Sequence, residues 1–127
     1  MCGIIGIVSK EKSKHIYDCN LSLRHRGPDD NGVYIHDSVA FGHNRLSIIE
    51  LSDLGHQPMI AKNEENIIIF NGEIYNHNEI RENFLSDYSF LSNSDTETVL
   101  VGYNKLGAKI FEKLNGIFSL AIYDRRN

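Results

Sequence analysis

Of the two cysteines in this chain, Cys2 and Cys19, the first could do chemistry by its position alone. A thiol directly after the initiator Met becomes the N-terminal residue when that Met is removed, and removal is favoured when a small side chain follows. The α-amine so exposed has an ordinary pKa of ~7.7–8.0, near working pH. It can take the thiol proton, directly or through water, which is the N-terminal form of the nucleophile–base pair and needs no separate histidine. The plain alternative is that Cys2 is a small residue leading a buried strand. Cys19 falls on the apolar line of an expected helix and reads as a core residue.

Other polar residues say less on their own. Arg45 between apolar neighbours reads as a snorkelling surface side chain. Asn71-Gly72 is a tight-turn signal, and Asp95 suits the first turn of a helix. The histidines at 15, 25, 36, 43, 56 and 77 offer no close ligand-spaced pair on one element, so no metal site is expected. Gly3 and Gly6 fall inside an expected strand, so they do not form a phosphate-cradling loop.

The elements that must position these residues follow from patterning. Residues 3–8 form an apolar β-rich run without clean alternation, as in a strand buried on both faces. Residues 11–26, with Ile16, Cys19, Leu23 and Leu21 on neighbouring lines, predict a helix that ends before Gly27-Pro28. Val33–His36 and Val39–His43 predict a hairpin turning at Asp37-Ser38. A turn-rich stretch runs to Pro58, and Asn66–Phe70 predicts a strand that turns at Asn71-Gly72. His77–Leu85 predicts a helix. Ser94 with Glu97 forms a capping-box pattern that opens another helix, running to Leu106 and stopping at Gly107. Lys109–Leu114 predicts a short helix, and Gly116–Tyr123 a final apolar strand. Strands at both ends and in the middle, with helices between, give an α+β arrangement of sheet against helix.

At 127 residues the chain is expected to be one domain. The balance of 13 basic against 17 acidic residues, with no long Lys/Arg run, argues against nucleic acid and anionic membranes as partners. No apolar stretch approaches the ~20 residues of a membrane span, and the N-terminus lacks a basic leader. Two cysteines suit a reducing compartment, and the cytoplasm is expected.

Five segments carry a more specific message in their order: Met-Cys-Gly-Ile-Ile-Gly at the start, Leu23-Arg24-His25-Arg26-Gly27-Pro28-Asp29-Asp30-Asn31-Gly32, His43-Asn44-Arg45-Leu46-Ser47-Ile48, Asn71-Gly72-Glu73-Ile74-Tyr75-Asn76, and Ser94-Asp95-Thr96-Glu97. This set resembles the class II (N-terminal nucleophile) glutamine amidotransferases along nearly the whole chain. More narrowly, Arg-Gly-Pro-Asp with Asn-Gly-Glu-Ile-Tyr-Asn looks like the glutaminase domain of asparagine synthetase (glutamine-hydrolysing).

The resemblance implies an Ntn-hydrolase-type fold of αββα layers with antiparallel sheets, and hydrolysis of glutamine to glutamate and ammonia through a Cys2 thioester. It implies that the Asn71 side-chain amide and the Gly72 backbone N–H form an oxyanion hole. It also implies that Arg45 grips the substrate α-carboxylate, that backbone groups of Leu46, Ser47, Ile48 and Ile49 line the pocket, and that Asp95 and Glu73 hold the α-ammonium. Arg24, Arg26, Gly27 and Pro28 are implied scaffold. No cofactor is implied for the glutaminase step.

Family members continue past the point matching Asn127, with further strands and an ATP-dependent synthetase domain that uses ATP and Mg. The sequence is therefore expected to be the N-terminal part of the glutaminase domain, incomplete at its C-terminus. A sticky edge at Gly116–Tyr123 would then favour self-association or marginal stability. The alternative function is a non-catalytic glutamine-binding or assembly module, inactive if Met1 is retained or the fold is incomplete.

Overall fold

The computed structural model describes residues 2–48 and 50–126. Two antiparallel three-stranded sheets carry the fold. In the first, β3 (Val39–Arg45) is central, flanked by β1 (Gly3–Val8) and β2 (Asp30–His36), in the order β1-β3-β2. The hairpin closes at His36↔Val39 across Asp37-Ser38, as the sequence predicts, with Asp37 in the left-handed region at φ 51°. In the second sheet, β5 (Asn66–Ile74) is central, between β4 (Met59–Ile60) and β6 (Gly116–Asp124).

Side-chain alternation assigns the layers. Ile67 and Ile69 of β5 pack with Phe41, Val39 and Ile4 of the first sheet. Ile68, Phe70 and Ile74, on the opposite face of β5, pack with Ile80 of α2 (His77–Phe84) and with Val99 and Leu100 of α3 (Asp95–Leu106). On the outer face of the first sheet lies α1 (Ile16–Ser22), where the buried Asn20 amide donates to Gly32 O, and Asn44 of β3 donates to Asn20. The order across the molecule is helix, sheet, sheet, helix, an α+β arrangement with mixed helices and antiparallel sheets. Among the described residues no helix is long and apolar enough to cross a membrane.

Several local expectations are corrected. The helix expected over 11–26 is α helical only from Ile16 to Ser22, with 3₁₀ turns at Ser13–His15 and Arg24–Arg26. Leu21, placed near its apolar face, is 64% exposed, because the helix meets the sheet through Ile16 and Asn20. β1 is an edge strand, with Val8 exposed and Ile4 and Ile5 half-buried, rather than buried on both faces. Asn71-Gly72 is not a turn: β5 runs on to Ile74, paired throughout with β6. That pairing also gives β6 a partner earlier in the chain, although its other edge has no strand among the described residues. Lys109–Leu114 is 3₁₀ from Gly107 to Lys113.

By contrast, α3 starts and stops where its sequence signals lie. Ser94 Oγ accepts from Thr96 N–H, and Gly107 follows at φ 61°. The reciprocal half of the capping box differs, because the Glu97 carboxylate accepts from the backbone N–H groups of Leu91 and Ser92 instead of from Ser94.

Candidate active site

The apolar filling between the two sheets gives way at one end to a cavity of about 290 Å³. Strand alternation brings chemistry there. On β3 the face that carries Val39 and Phe41 continues with His43 and Arg45. On β5 the face of Ile67 and Ile69 continues with Asn71 and Glu73. On β1 the face of Ile4 extends back to Cys2. The walls include Cys2, Arg45, Leu46, Ile48, Gln57, Asn71, Gly72, Glu73 and Asp95, and exposed Ile48, Tyr75 and Ile117 stand at the rim.

Cys2 is half-buried against the end of β3. Leu46 N–H points at its Sγ at 3.4 Å, and Sγ lies 3.8 Å from Leu46 O. Arg45 is 6% exposed and surrenders one guanidinium nitrogen to Ser52 O at 2.9 Å and another to Glu50 O. Among the described residues its partners are carbonyls, with no carboxylate in contact, and part of its five-donor fork remains for an anion. Gly55 leaves the space this requires, since a Cβ there would come within 2.2 Å of the guanidinium.

Asn71 and Gly72 sit where β5 outruns β4, whose register ends at Met59↔Ile68. Along this edge the Phe70 N–H donates to Gln57 Oε1 (2.6 Å) and the Ile74 N–H donates to Asp95 Oδ2 (2.9 Å). Strand amides alternate in direction, so the Gly72 N–H between these two points to the same edge and towards the cavity. Gly72 has φ +152°, and a Cβ there would meet Ile117 O at 2.2 Å, so only glycine fits. The Asn71 side-chain oxygen is buried and receives no hydrogen bond from the described residues. A buried polar atom without a partner calls for an explanation, and a ligand in the cavity supplies one.

Asp95, 4% exposed, is the first residue of α3. Burial pushes its carboxyl pKa up, and the Ile74 N–H and the nearby His77 counter that push. Glu73 is exposed at the opening. Arg81 braces this corner from outside. Its guanidinium donates to Thr98 Oγ1, Ser92 O and Ser94 O, and it stacks 3.8 Å over Phe90. The cavity thus holds one buried cation, Arg45, and carboxylates at Asp95 and Glu73, with the Glu50 carboxylate tied to Ser52 and the Asn93 N–H; a cation apart from the Asp95 and Glu73 carboxylates suits the two head groups of an amino-acid zwitterion.

Of the residues singled out from the sequence, Cys2, Arg45, Leu46, Ile48, Asn71, Gly72, Glu73 and Asp95 line this cavity. Ser47 does not, and its N–H is held by Asp29 Oδ2 at 2.8 Å. Ile49 lies outside the described residues. Sequence reasoning missed Gln57, which is 5% exposed in the cavity wall, and His43, whose Nε2 is 3.2 Å from Phe70 O. The only local signal for Gln57 was a polar residue in a turn-rich stretch. Among the described residues no cluster of three or more His, Cys, Asp or Glu side chains is placed to hold a metal ion.

A family model described as a glutamine amidotransferase domain matches residues 1–127. The chain is 37% identical to asparagine synthetase (glutamine-hydrolyzing) 1 of Bacillus subtilis, over 100% of the chain and 21% of that protein. It is 35% identical to asparagine synthetase B (glutamine-hydrolyzing) of Escherichia coli, over 98% of the chain and 23% of that protein. The identity to asparagine synthetase (glutamine-hydrolyzing) of Zea mays is 35%, over 100% of the chain and 22% of that protein. The chain spans about a quarter of the length of the curated relatives it matches.

Proposed function

Because this chain belongs to the glutamine amidotransferase domain family, we propose that it hydrolyses the side-chain amide of glutamine, with Cys2 as the nucleophile once Met1 is removed. The observation that carries this reading is the convergence of Cys2, Arg45, Asn71-Gly72 and Asp95, from four separate segments of the chain, on one cavity.

In the proposed reaction the Cys2 α-amine takes the thiol proton and Sγ attacks the amide carbon. The Asn71 side-chain amide and the Gly72 N–H hold the oxyanion. The intermediate collapses to a thioester as the ammonium at Cys2 returns its proton to the departing ammonia. Water then attacks the thioester, releasing glutamate and restoring the thiol. Arg45 binds the α-carboxylate as a fork, while Asp95 and Glu73 bind the α-ammonium.

The helix–sheet–sheet–helix order supports an Ntn-hydrolase-type fold. The names of the relatives support a further step, in which ammonia passes to an asparagine-synthetase-like, ATP- and Mg-dependent ligase domain. Two free cysteines fit a cytoplasmic setting. The glutaminase step itself, as proposed, draws only on residues of this chain.

Intact mass before and after exposure to an electrophilic glutamine analogue tests the reading. The expected result is loss of Met1 and one adduct mapping to Cys2, absent in Cys2→Ala and retained in Cys19→Ala. A processed chain that takes no adduct, or glutamine turnover that survives Cys2→Ala, would refute it.

A further inference from the structure

The free edge of β5 ends in a side-chain crossbar. Beyond Ile68 no strand of the described residues pairs with this edge, yet the Phe70 peptide is satisfied in both directions. Its N–H donates to Gln57 Oε1 at 2.6 Å, and its C=O accepts from His43 Nε2 at 3.2 Å. The Gln57 Nε2 donates in turn to Thr96 Oγ1 at 3.3 Å, in the first turn of α3. One buried amide therefore ties the strand immediately before Asn71-Gly72 to the helix turn that carries Asp95.

Gln57 is itself held from behind. Gly32 lets β2 press flat on its backbone, since a Cβ at Gly32 would come within 2.2 Å of Gln57 O. The preceding residue, His56, is clamped to Asp30 at 2.7 Å. A side chain fixed at both ends, 5% exposed and facing the cavity, costs conformational freedom that a space-filling residue would not need to spend. Its two bonds sit between the group that would meet the reacting carbonyl and the group that would meet the α-ammonium.

We infer that Gln57 is a positioning residue for the glutaminase reaction. Its amide, anchored on Thr96, aligns the Gly72 N–H with the developing oxyanion, while Asp95 is held separately by the Ile74 N–H. The inference rests on the function proposed above. Losing the amide would leave the Phe70 N–H unpaired and free the edge to shift away from the position the oxyanion takes up. The effect belongs to the transition state, so it should appear in kcat more than in KM.

The test compares wild type, Gln57→Met, Thr96→Val and Thr96→Ser as the full chain, measuring glutamine turnover and the rate at which iodoacetamide alkylates Cys2. Removing one oxyanion donor outright costs about 10²–10³ in rate, so a misaligned one should cost at least about tenfold in kcat. The expected pattern has four parts: that loss in Gln57→Met with KM little changed, unaltered alkylation of Cys2, a smaller loss in Thr96→Val, and recovery in Thr96→Ser. A folded Gln57→Met with wild-type kcat overturns the inference, and so does a loss of kcat matched by an equal change in alkylation. If Gln57→Met does not fold, Thr96→Val decides, and unchanged kcat there overturns the inference. Wild-type protein that neither turns over glutamine nor takes the glutamine analogue defeats the underlying function and this role with it. Wild-type turnover together with an unchanged kcat in Gln57→Met defeats this role alone.

Discussion

Lowering the pH from 7 to 5 should cost this fold about 2 kcal/mol through a single side chain, His43. Its ring is fully buried between the sheets, and burial pushes its pKa down from 6.5 to about 4. The geometry agrees: Nε2 faces Phe70 O, while Nδ1 is buried with no partner, so a proton added at Nδ1 would have no acceptor among the described residues. The folded pKa lies below the unfolded one, so the unfolded chain binds this proton first. Above pH 6.5 the effect is absent. It grows by about 1.4 kcal/mol for each pH unit down towards 4, then levels off near 3 kcal/mol.

Asp30, His56 and Arg45 are the charged neighbours that modulate this, and all three remain in a His43→Gln variant, whose amide can still donate to Phe70 O. Urea unfolding of both proteins at pH 7 and pH 5 isolates the term, because the buried Asp95 and the surface carboxylates contribute alike to each. Wild type should lose about 2 kcal/mol more than His43→Gln between the two pH values. Equal losses would refute the claim that His43 is held neutral, and with it the picture of a polar link carried from the inter-sheet core to the Phe70 peptide.

Two further substitutions probe the site directly. Gly72→Ala places a methyl group 2.2 Å from Ile117 O in a backbone region suited to glycine. It should lower stability by about 1–3 kcal/mol and abolish turnover, read by thermal melts and glutamate release; a stable, active Gly72→Ala would remove the structural basis for the oxyanion assignment. Arg45→Lys keeps the charge but loses the fork that serves Ser52 O, Glu50 O and an incoming carboxylate at once. Steady-state kinetics should show KM for glutamine rising about 10- to 100-fold with kcat much less affected, and an unchanged KM would remove Arg45 from substrate binding.

What could be read from the sequence divides by the range of the interactions involved. The boundaries of α3 were legible because Ser94 and Gly107 act within a turn of themselves, and the Asp37-Ser38 hairpin for the same reason. The turn signal at Asn71-Gly72 misled, because nine residues of pairing with β6 outweigh a two-residue preference. The helix expected over 11–26 is shorter, and its contact with the sheet is half polar: beside the buried Ile16 it is made by Asn20 with Asn44, which apolar periodicity does not register. Cys2 could be named from its place after the initiator Met, whereas the substrate roles of Arg45, Asn71 and Asp95 came from an ordered set of motifs and not from any local property. Gln57 had no such aid. Its partners lie 13 and 39 residues away, and neither spacing leaves a mark on the sequence.

The placement of the site follows from the way each strand changes character along one face. The face of β1 that carries Ile4 points back to Cys2 just before the strand, β3 runs from Phe41 through His43 to Arg45, and β5 from Ile69 through Asn71 to Glu73. In each case an apolar residue locked in the inter-sheet core is followed, two or four positions on, by a cavity residue. The side-chain period of a strand is two, so the register that turns Ile4, Phe41 and Ile69 into the inter-sheet core also aims Cys2, Arg45 and Asn71. A slip of one residue between β1 and β3, where Gly3 faces Asn44, would turn Cys2 towards the α1 side of the sheet and take Ile4 out of the inter-sheet core with it. Mispositioning the nucleophile therefore carries the cost of dismantling the core. In this fold the packing that stabilises the sheets is also what sets the thiol, the guanidinium and the amide on the walls of one cavity.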